Sequence, residues 1–184
     1  TCTITNEEKL TYLTLVKTVK NDNGGQALAT EWTLTATGPT NISGKTGEAS
    51  ITNVAVKSGV YTLSESGGPS GYTMGNWSCT GGSLSGNQIT LSSGQSATCT
   101  LTNNDQAGTL IVKKVVVNDD GGKLGAEDFT FKIGDGSPVA FEADGQNDII
   151  INAGTYTITE PAVSGYTTTY DNCSGVVVVN GGTQ

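Results

Sequence analysis

The stretch LTLVKTVKNDNGG, from Leu13 to Gly25, returns 97 positions later as LIVKKVVVNDDGG, from Leu110 to Gly122. The first copy alternates apolar with other residues, the second has apolar residues on both faces, and each ends in a run of Asn, Asp and Gly. Alternation of this kind predicts a half-buried β-strand, and the polar, glycine-rich run predicts the turn that ends it. The repetition therefore predicts two similar domains in tandem.

Other segments match between the two copies in the same order. SGVYTLSESGGPSGY, beginning at Ser58, parallels AGTYTITEPAVSGY, beginning at Ala153, and WSCTGG around Cys79 parallels DNCSGV around Cys173. No segment shows a helical apolar period of useful length. Several short strands per repeat of about 100 residues predict an all-β protein with one small sandwich per repeat.

The two repeats are cut in a shifted frame. TCTLTNND (Thr98–Asp105) closes the first repeat, whereas the second stops early, and its counterpart TCTITNEE stands at Thr1–Glu8. The first strand is thus predicted to complete the second domain of a preceding unit. Two readings remain open, a period of a tandem polyprotein or separate subunits that exchange a strand. The predicted organisation is a terminal strand at 1–6, a linker at 7–12, a first sandwich at 13–104, a linker at 105–109, and a second sandwich lacking its last strand at 110–184.

Composition excludes several classes of function. The formal net charge is −8, the pI is near 4.3, there is no histidine, and all nine basic residues are lysines. Nucleic-acid binding depends on cationic patches, so no nucleic-acid partner is expected. No apolar run is long enough for a transmembrane helix, so no membrane insertion is expected. Without histidine or a CxxC pair, neither a metal site nor a cofactor is expected.

The four cysteines predict disulfides and an oxidising, extracellular setting. Cys79 and Cys99 flank a hairpin-like stretch of one repeat, and we expect them to be bonded, with two free thiols as the alternative. Cys2 aligns with Cys99, and Cys173 aligns with Cys79. A bond between Cys2 of one unit and Cys173 of the preceding unit would therefore rebuild the same bridge across the joint.

The ordered set of LTLVK, YTLSE…GY and TLTN, repeated as LIVKK, YTITE…GY and TITN, resembles a known family. The chain is similar to the prealbumin-like Cna B-type repeats and SpaA-type pilin domains of bacterial surface proteins. The resemblance covers nearly the whole chain. It implies tandem Ig-like or prealbumin-like β-sandwiches and a location outside the cell, on the bacterial surface.

Three polar residues share the strand face of core residues in the first repeat. Lys17, Glu65 and Asn103 each lie at even spacing from apolar neighbours on their own strands. A buried charge must be paired or react. The resemblance implies an isopeptide bond between Lys17 and Asn103, assisted by Glu65. The alternative is a buried ion pair of Lys17 and Glu65 with Asn103 hydrogen-bonded beside it.

The second repeat offers the same residue types except the asparagine. Lys114 and Glu160 align with the lysine and glutamate of the first repeat, and Asn6 lies in the displaced strand. The resemblance implies a crosslink from Lys114 to Asn6 of a neighbour, with Glu160 assisting. Lys113 competes with Lys114, because both faces of that strand are apolar.

These observations predict a structural repeat unit of an extracellular filament, pilus-like fibre or adhesin stalk. Its expected partners are identical copies of itself, arranged head to tail. The alternative is a ligand-binding adhesin module, whose host or matrix ligand the sequence does not name. No enzymatic activity is expected beyond autocatalytic crosslinking within the protein.

Overall fold

The computed structural model describes all residues 1–184, and the strands they form divide into two compact units. The first unit comprises Thr1–Asp22 and Gln26–Asp105, and the second comprises Asn23–Gly25 and Gln106–Gln184. The only helical elements are two 3-10 turns at Ala29–Glu31 and Ala126–Asp128. The predicted all-β fold with tandem sandwich repeats is confirmed.

Two sheets face each other in the first unit. Its strands are β1 (Thr11–Lys20), β2 (Trp32–Thr37), β3 (Ile42–Gly44), β4 (Val54–Val56), β5 (Gly59–Gly67), β6 (Tyr72–Met74), β7 (Ser78–Thr80), β8 (Ser83–Ser85), β9 (Gln88–Leu91) and β10 (Ser96–Asp105). One sheet has the order β4-β1-β10-β6, with β7 also paired to β10, and the other has the order β3-β2-β5-β9-β8. The core between them consists mainly of Leu, Ile and Ala side chains at alternate strand positions, as expected for strands with one buried face.

The first and last strands of this unit lie side by side and parallel. β1 pairs with β10 in a continuous register from Tyr12↔Ser96 to Lys20↔Asn104. Leu13 and Leu15 of β1 and Leu101 of β10 are almost completely buried, so these two strands form the middle of the core. The parallel pair closes the domain by joining residues far apart in the sequence.

The second unit repeats part of this plan. Its strands are β11 (Gly108–Lys113), β12 (Thr130–Ile133), β13 (Val139–Ala140), β14 (Gln146–Ile151), β15 (Gly154–Tyr156), β16 (Ile158–Thr159) and β17 (Val176–Val178). β11 pairs antiparallel with β14, β12 pairs with β13 and β16, and β15 pairs with β17. A smaller core contains Leu110, Val112, Phe129, Phe131 and Phe141.

The strand positions differ from the prediction at both linkers. β1 begins at Thr11, inside the predicted linker 7–12, because Thr11 is buried and pairs with Val56 of β4. β10 and β11 both extend into the predicted linker 105–109 and leave two residues between them. Residues 1–6, predicted as a strand of a neighbouring unit, form no strand within this chain and are exposed.

In each unit a tyrosine hydroxyl connects two repeated motifs, the GY segment that carries it and the NDxGG loop after the first strand. In the first unit the Tyr72 hydroxyl donates to Asn21 Oδ1 (2.6 Å) and accepts from the Ala27 N–H (3.1 Å). Tyr166 makes the equivalent bonds to Asn118 (2.6 Å) and Leu124 (3.2 Å) in the second unit. Such bonds satisfy polar groups of the loop after the first strand, so the repeated NDxGG and GY motifs have a structural role.

Candidate functional site

The three polar residues singled out in the first repeat meet between the two sheets. Lys17 on β1 forms an ion pair with Glu65 on β5, and Asn103 Nδ2 on β10 donates to Glu65 Oε1 at 2.8 Å. The side chains of Lys17 and Glu65 are 0% and 6% exposed. The amide oxygen of Asn103 is buried and accepts no hydrogen bond. The cluster thus brings an amine, a carboxyl group and a side-chain amide together away from solvent.

Burial sets the electrostatics of this cluster. Removal from water lowers the pKa of Lys17 below its usual value of 10.5, and the hydrogen bond and charge of Glu65 oppose that shift. The Trp32 ring lies 5.0 Å from Lys17 Nζ and forms part of the wall. A lysine with a lowered pKa is more often a neutral amine, which is the nucleophilic form.

The second unit holds the corresponding lysine and glutamate. Lys114 Nζ donates to the two carboxylate oxygens of Glu160 at 3.0 and 2.7 Å, beside the ring of Phe129 at 4.1 Å. The Thr168 hydroxyl donates to Glu160 Oε1 at 2.8 Å. Lys113 is exposed, so of the two candidate lysines only Lys114 reaches the glutamate. No asparagine from this chain joins the pair, because Asn6 lies exposed in the N-terminal segment.

Two of the four cysteines are bonded to each other, and the other two are free. Cys79 on β7 and Cys99 on β10 face each other across the two strands and form a disulfide with an S–S distance of 2.07 Å. Cys2 is free and exposed. Cys173 is also free, and it is partly buried. The disulfide fastens the last strand of the first unit to its neighbour.

A groove of about 720 Å³ opens along β11 in the second unit. Its walls include Leu110, Val112, Lys114, Glu160 and Cys173. The residues that align with these in the first unit contact β10, which fills the corresponding space. The groove is therefore the place where a strand like β10 would lie.

Two classes of site are not found in the structure. No group of three or more His, Cys, Asp or Glu side chains is arranged to hold a metal ion. No helix is long and apolar enough to cross a membrane.

Sequence patterns did not single out every residue at these centres. Trp32 and Phe129 occupy matching positions beside the two lysines, and their alignment between the repeats was the available signal. Thr168 had no such signal, because its contact with Glu160 depends on the path of the loop that carries it.

The comparisons with known proteins address the fold. Residues 8–101 and 105–183 each match the family model described as a prealbumin-like fold domain. Together these two segments cover nearly the whole chain. Among curated protein sequences, none matches this chain significantly.

Several solved structures resemble the chain. The Bacillus anthracis TIE protein matches with a TM-score of 0.60 and 21% identity over 95% of this chain and 32% of that one, so the chain spans about a third of its length. A C-terminal fragment of the pilus adhesin SpaC from Lactobacillus rhamnosus GG has a TM-score of 0.42 and 15% identity, over 88% of this chain and 78% of that one. The streptococcal ancillary pilin has a TM-score of 0.33 and 17% identity, over 95% of this chain and 60% of that one. At 21% identity, the match to the first of these structures shows a shared fold.

Proposed function

The chain belongs to the family of prealbumin-like fold domains, and on that premise we propose that it is a structural segment of an extracellular filament, pilus-like fibre or stalk on the bacterial surface. Identical copies assemble head to tail, and the segment carries tension along the chain. The Cys79–Cys99 disulfide supports an extracellular location, because disulfides persist in oxidising compartments.

One observation carries this proposal: the parallel pairing of β1 with β10 over nine successive positions. Tension that enters through β1 and leaves through β10 pulls the two strands lengthwise past each other. The hydrogen bonds of a parallel pair are evenly spaced along the strands. They are then loaded together, and they resist far more force than bonds opened one at a time.

The buried cluster of Lys17, Glu65 and Asn103 can add a covalent bond between β1 and β10 to these hydrogen bonds. In this proposal, neutral Lys17 Nζ attacks the Cγ carbon of Asn103. The Nζ–Cγ bond forms, the Cγ–Nδ2 bond breaks, and the amine proton travels through the Glu65 carboxyl group to the departing nitrogen, which leaves as ammonia. The product is a neutral amide that joins the first strand to the last. The proposed chemistry of the protein is limited to such bonds within its own assembly.

Electron microscopy tests this function. We expect negatively stained, concentrated protein under oxidising conditions to form unbranched rows of joined copies, and reducing agent to shorten them. Particles of a single chain at every concentration, with or without oxidant, would contradict the proposal and would favour a ligand-binding adhesin module. The variant Cys2→Ser/Cys173→Ser is the matched control, because it removes the two free thiols and leaves Cys79–Cys99 intact.

A further inference from the structure

We propose that a pocket of the first unit, beside Glu65, binds a primary alkylammonium ion once Lys17 no longer carries its charge. The ion then takes the place of Lys17 as the partner of the Glu65 carboxylate. This inference rests on the crosslink of the proposed function for the loss of that charge, because the Lys17–Asn103 amide is neutral.

The pocket adjoins the buried cluster and has a volume of about 610 Å³. Leu63, Met74, Trp77 and Leu84 contribute apolar walls, and Glu65 is the one charged residue among the residues that line it. Glu65 is therefore shared by the cluster and the pocket, so a change in the charge of the cluster is felt in the pocket.

The crosslink changes the charge that Glu65 faces. Before it forms, Glu65 is paired with Lys17 and accepts a hydrogen bond from Asn103 Nδ2 at 2.8 Å. In the proposed reaction ammonia leaves, and the proton that Lys17 gave up on becoming a neutral amine remains with Glu65. Exchange of that proton with water leaves a carboxylate that has no cation beside it. A buried carboxylate without a partner is costly, and a bound cation removes that cost.

The walls of the pocket favour an organic cation. A calcium ion needs a set of several oxygen ligands, and no group of three or more acidic, cysteine or histidine side chains is arranged to hold a metal ion. An alkylammonium ion instead combines a charged head with an apolar chain. Trp77, which is 9% exposed, supplies an aromatic wall of the kind that attracts such cations, and Met74 and Leu84 can cover the chain.

An ammonium head also needs oxygen acceptors besides the carboxylate, because it has three N–H donors. The amide side chains of Asn76 and Asn87 line the pocket. Asn87 Nδ2 donates to Leu63 O at 3.2 Å, and the Leu63 N–H donates to Asn87 O at 2.8 Å. These two bonds fix Asn87 against β5, and the first of them uses only the nitrogen of its amide. The amide oxygen of Asn87 is thus an acceptor for the ammonium head.

An NMR titration with n-butylammonium chloride tests this site. The readout is the indole N–H of Trp77, which is identified by its absence from Trp77→Phe protein. Lys17→Met protein is the direct case, because it lacks the amine and forms no crosslink. We expect a saturating shift, with an affinity about tenfold higher than that of Asn103→Ala protein, which keeps the Lys17 amine beside Glu65. Crosslinked wild-type protein should bind as Lys17→Met protein does.

Two controls separate the charge from the burial of the alkyl chain. Butan-1-ol has the same chain without the charge, and Lys17→Met/Glu65→Gln protein has the same pocket without the carboxylate. We expect either change to weaken binding about tenfold. Equal affinities of Lys17→Met protein for butylammonium and butan-1-ol, or of the single and double variants for butylammonium, would overturn the inference. So would a Trp77 shift that never saturates. If Lys17→Met protein does not fold, crosslinked wild-type protein carries the same comparison.

The intact mass of wild-type protein separates this inference from the proposed crosslink. Wild-type protein of full mass that does not bind butylammonium, beside Lys17→Met protein that does, would contradict the crosslink and leave the site standing. Wild-type protein that has lost ammonia and still binds no butylammonium would overturn the site and leave the crosslink standing.

Discussion

At the scale of single residues, the main feature is a lysine buried where an apolar side chain would ordinarily lie. Lys17 continues the buried face that Leu13 and Leu15 begin on β1, and its side chain has no exposure. A buried ion pair often stabilises a fold less than apolar packing of the same volume. Converting the amine into an amide would remove its charge and leave a neutral crosslink.

Intact-mass spectrometry checks the crosslink directly. We expect the protein, corrected for its disulfide, to weigh about 17 Da less than its sequence, because amide formation expels one ammonia. Glu65→Gln should restore the full mass, since an amide does not relay the proton. The matched control Glu160→Gln changes the equivalent residue of the second unit and should keep the loss. A wild-type protein of full mass would leave only the ion pair.

The lowered pKa of Lys17 predicts a dependence of stability on pH when the crosslink is blocked. In Asn103→Ala protein the lysine remains an amine, and the folded state binds its proton less tightly than the unfolded state does. The unfolded state therefore holds more protons between the lowered pKa and 10.5, so the free energy of unfolding rises with pH across that window.

Chemical denaturation at a series of pH values measures this dependence. The double variant Lys17→Met/Asn103→Ala is the matched control, and its rise in unfolding free energy toward pH 10.5 should be smaller. Parallel curves for the two proteins would show that Lys17 does not titrate differently on folding.

Residue alternation made part of the site predictable. The sequence placed Lys17, Glu65 and Asn103 on core faces, because the two-residue period of a strand is a local property. It did not distinguish Lys113 from Lys114, since both faces of that strand are apolar. The structure distinguishes them through distant contacts: the Lys114 N–H donates to Gly145 O, and its side chain reaches Glu160.

At the scale of elements, the two first strands differ because their neighbours differ. β1 spans ten residues and has partners on both edges, whereas β11 spans six and its outer edge meets only residues 182–184. Beyond Lys114, Val115 is 80% exposed. A strand without a partner loses its ladder hydrogen bonds and ends early.

Hydrogen exchange measures this difference one amide at a time. Successive N–H groups of a strand point to alternate edges, so Val16 faces β10, and its counterpart Lys113 faces the open edge. In dilute protein we expect the amide of Lys113 to exchange about tenfold or more faster than that of Val16. Val112, which faces β14, is the control. Equal protection at Val16 and Lys113 would mean that the edge of β11 is already covered.

The pairing of elements was harder to predict than their existence. Each apolar run and its turn is encoded locally, and the predicted all-β fold is confirmed. The parallel pairing of β1 with β10 joins positions about 84 residues apart, such as Tyr12 and Ser96, and no local pattern specifies it. The short strands β6 and β7 both pair with β10, which lies far from them in the sequence.

At the scale of the whole molecule, the proposed role depends on closing each sandwich between its first and last strands. In the first unit this closure lies within the chain. In the second unit, β11 pairs with β14 on one edge, and residues 182–184 lie along the beginning of its other edge.

Single-molecule force spectroscopy tests the central claim, that the segment resists tension, most directly. The isolated protein is stretched by its two ends. We expect wild-type protein to show one extension step, from the second unit, because a Lys17–Asn103 bond prevents the first from lengthening. Asn103→Ala protein should show a second step on the order of 20 nm, the length of the released chain outside the disulfide loop. Two steps in both proteins would contradict the account.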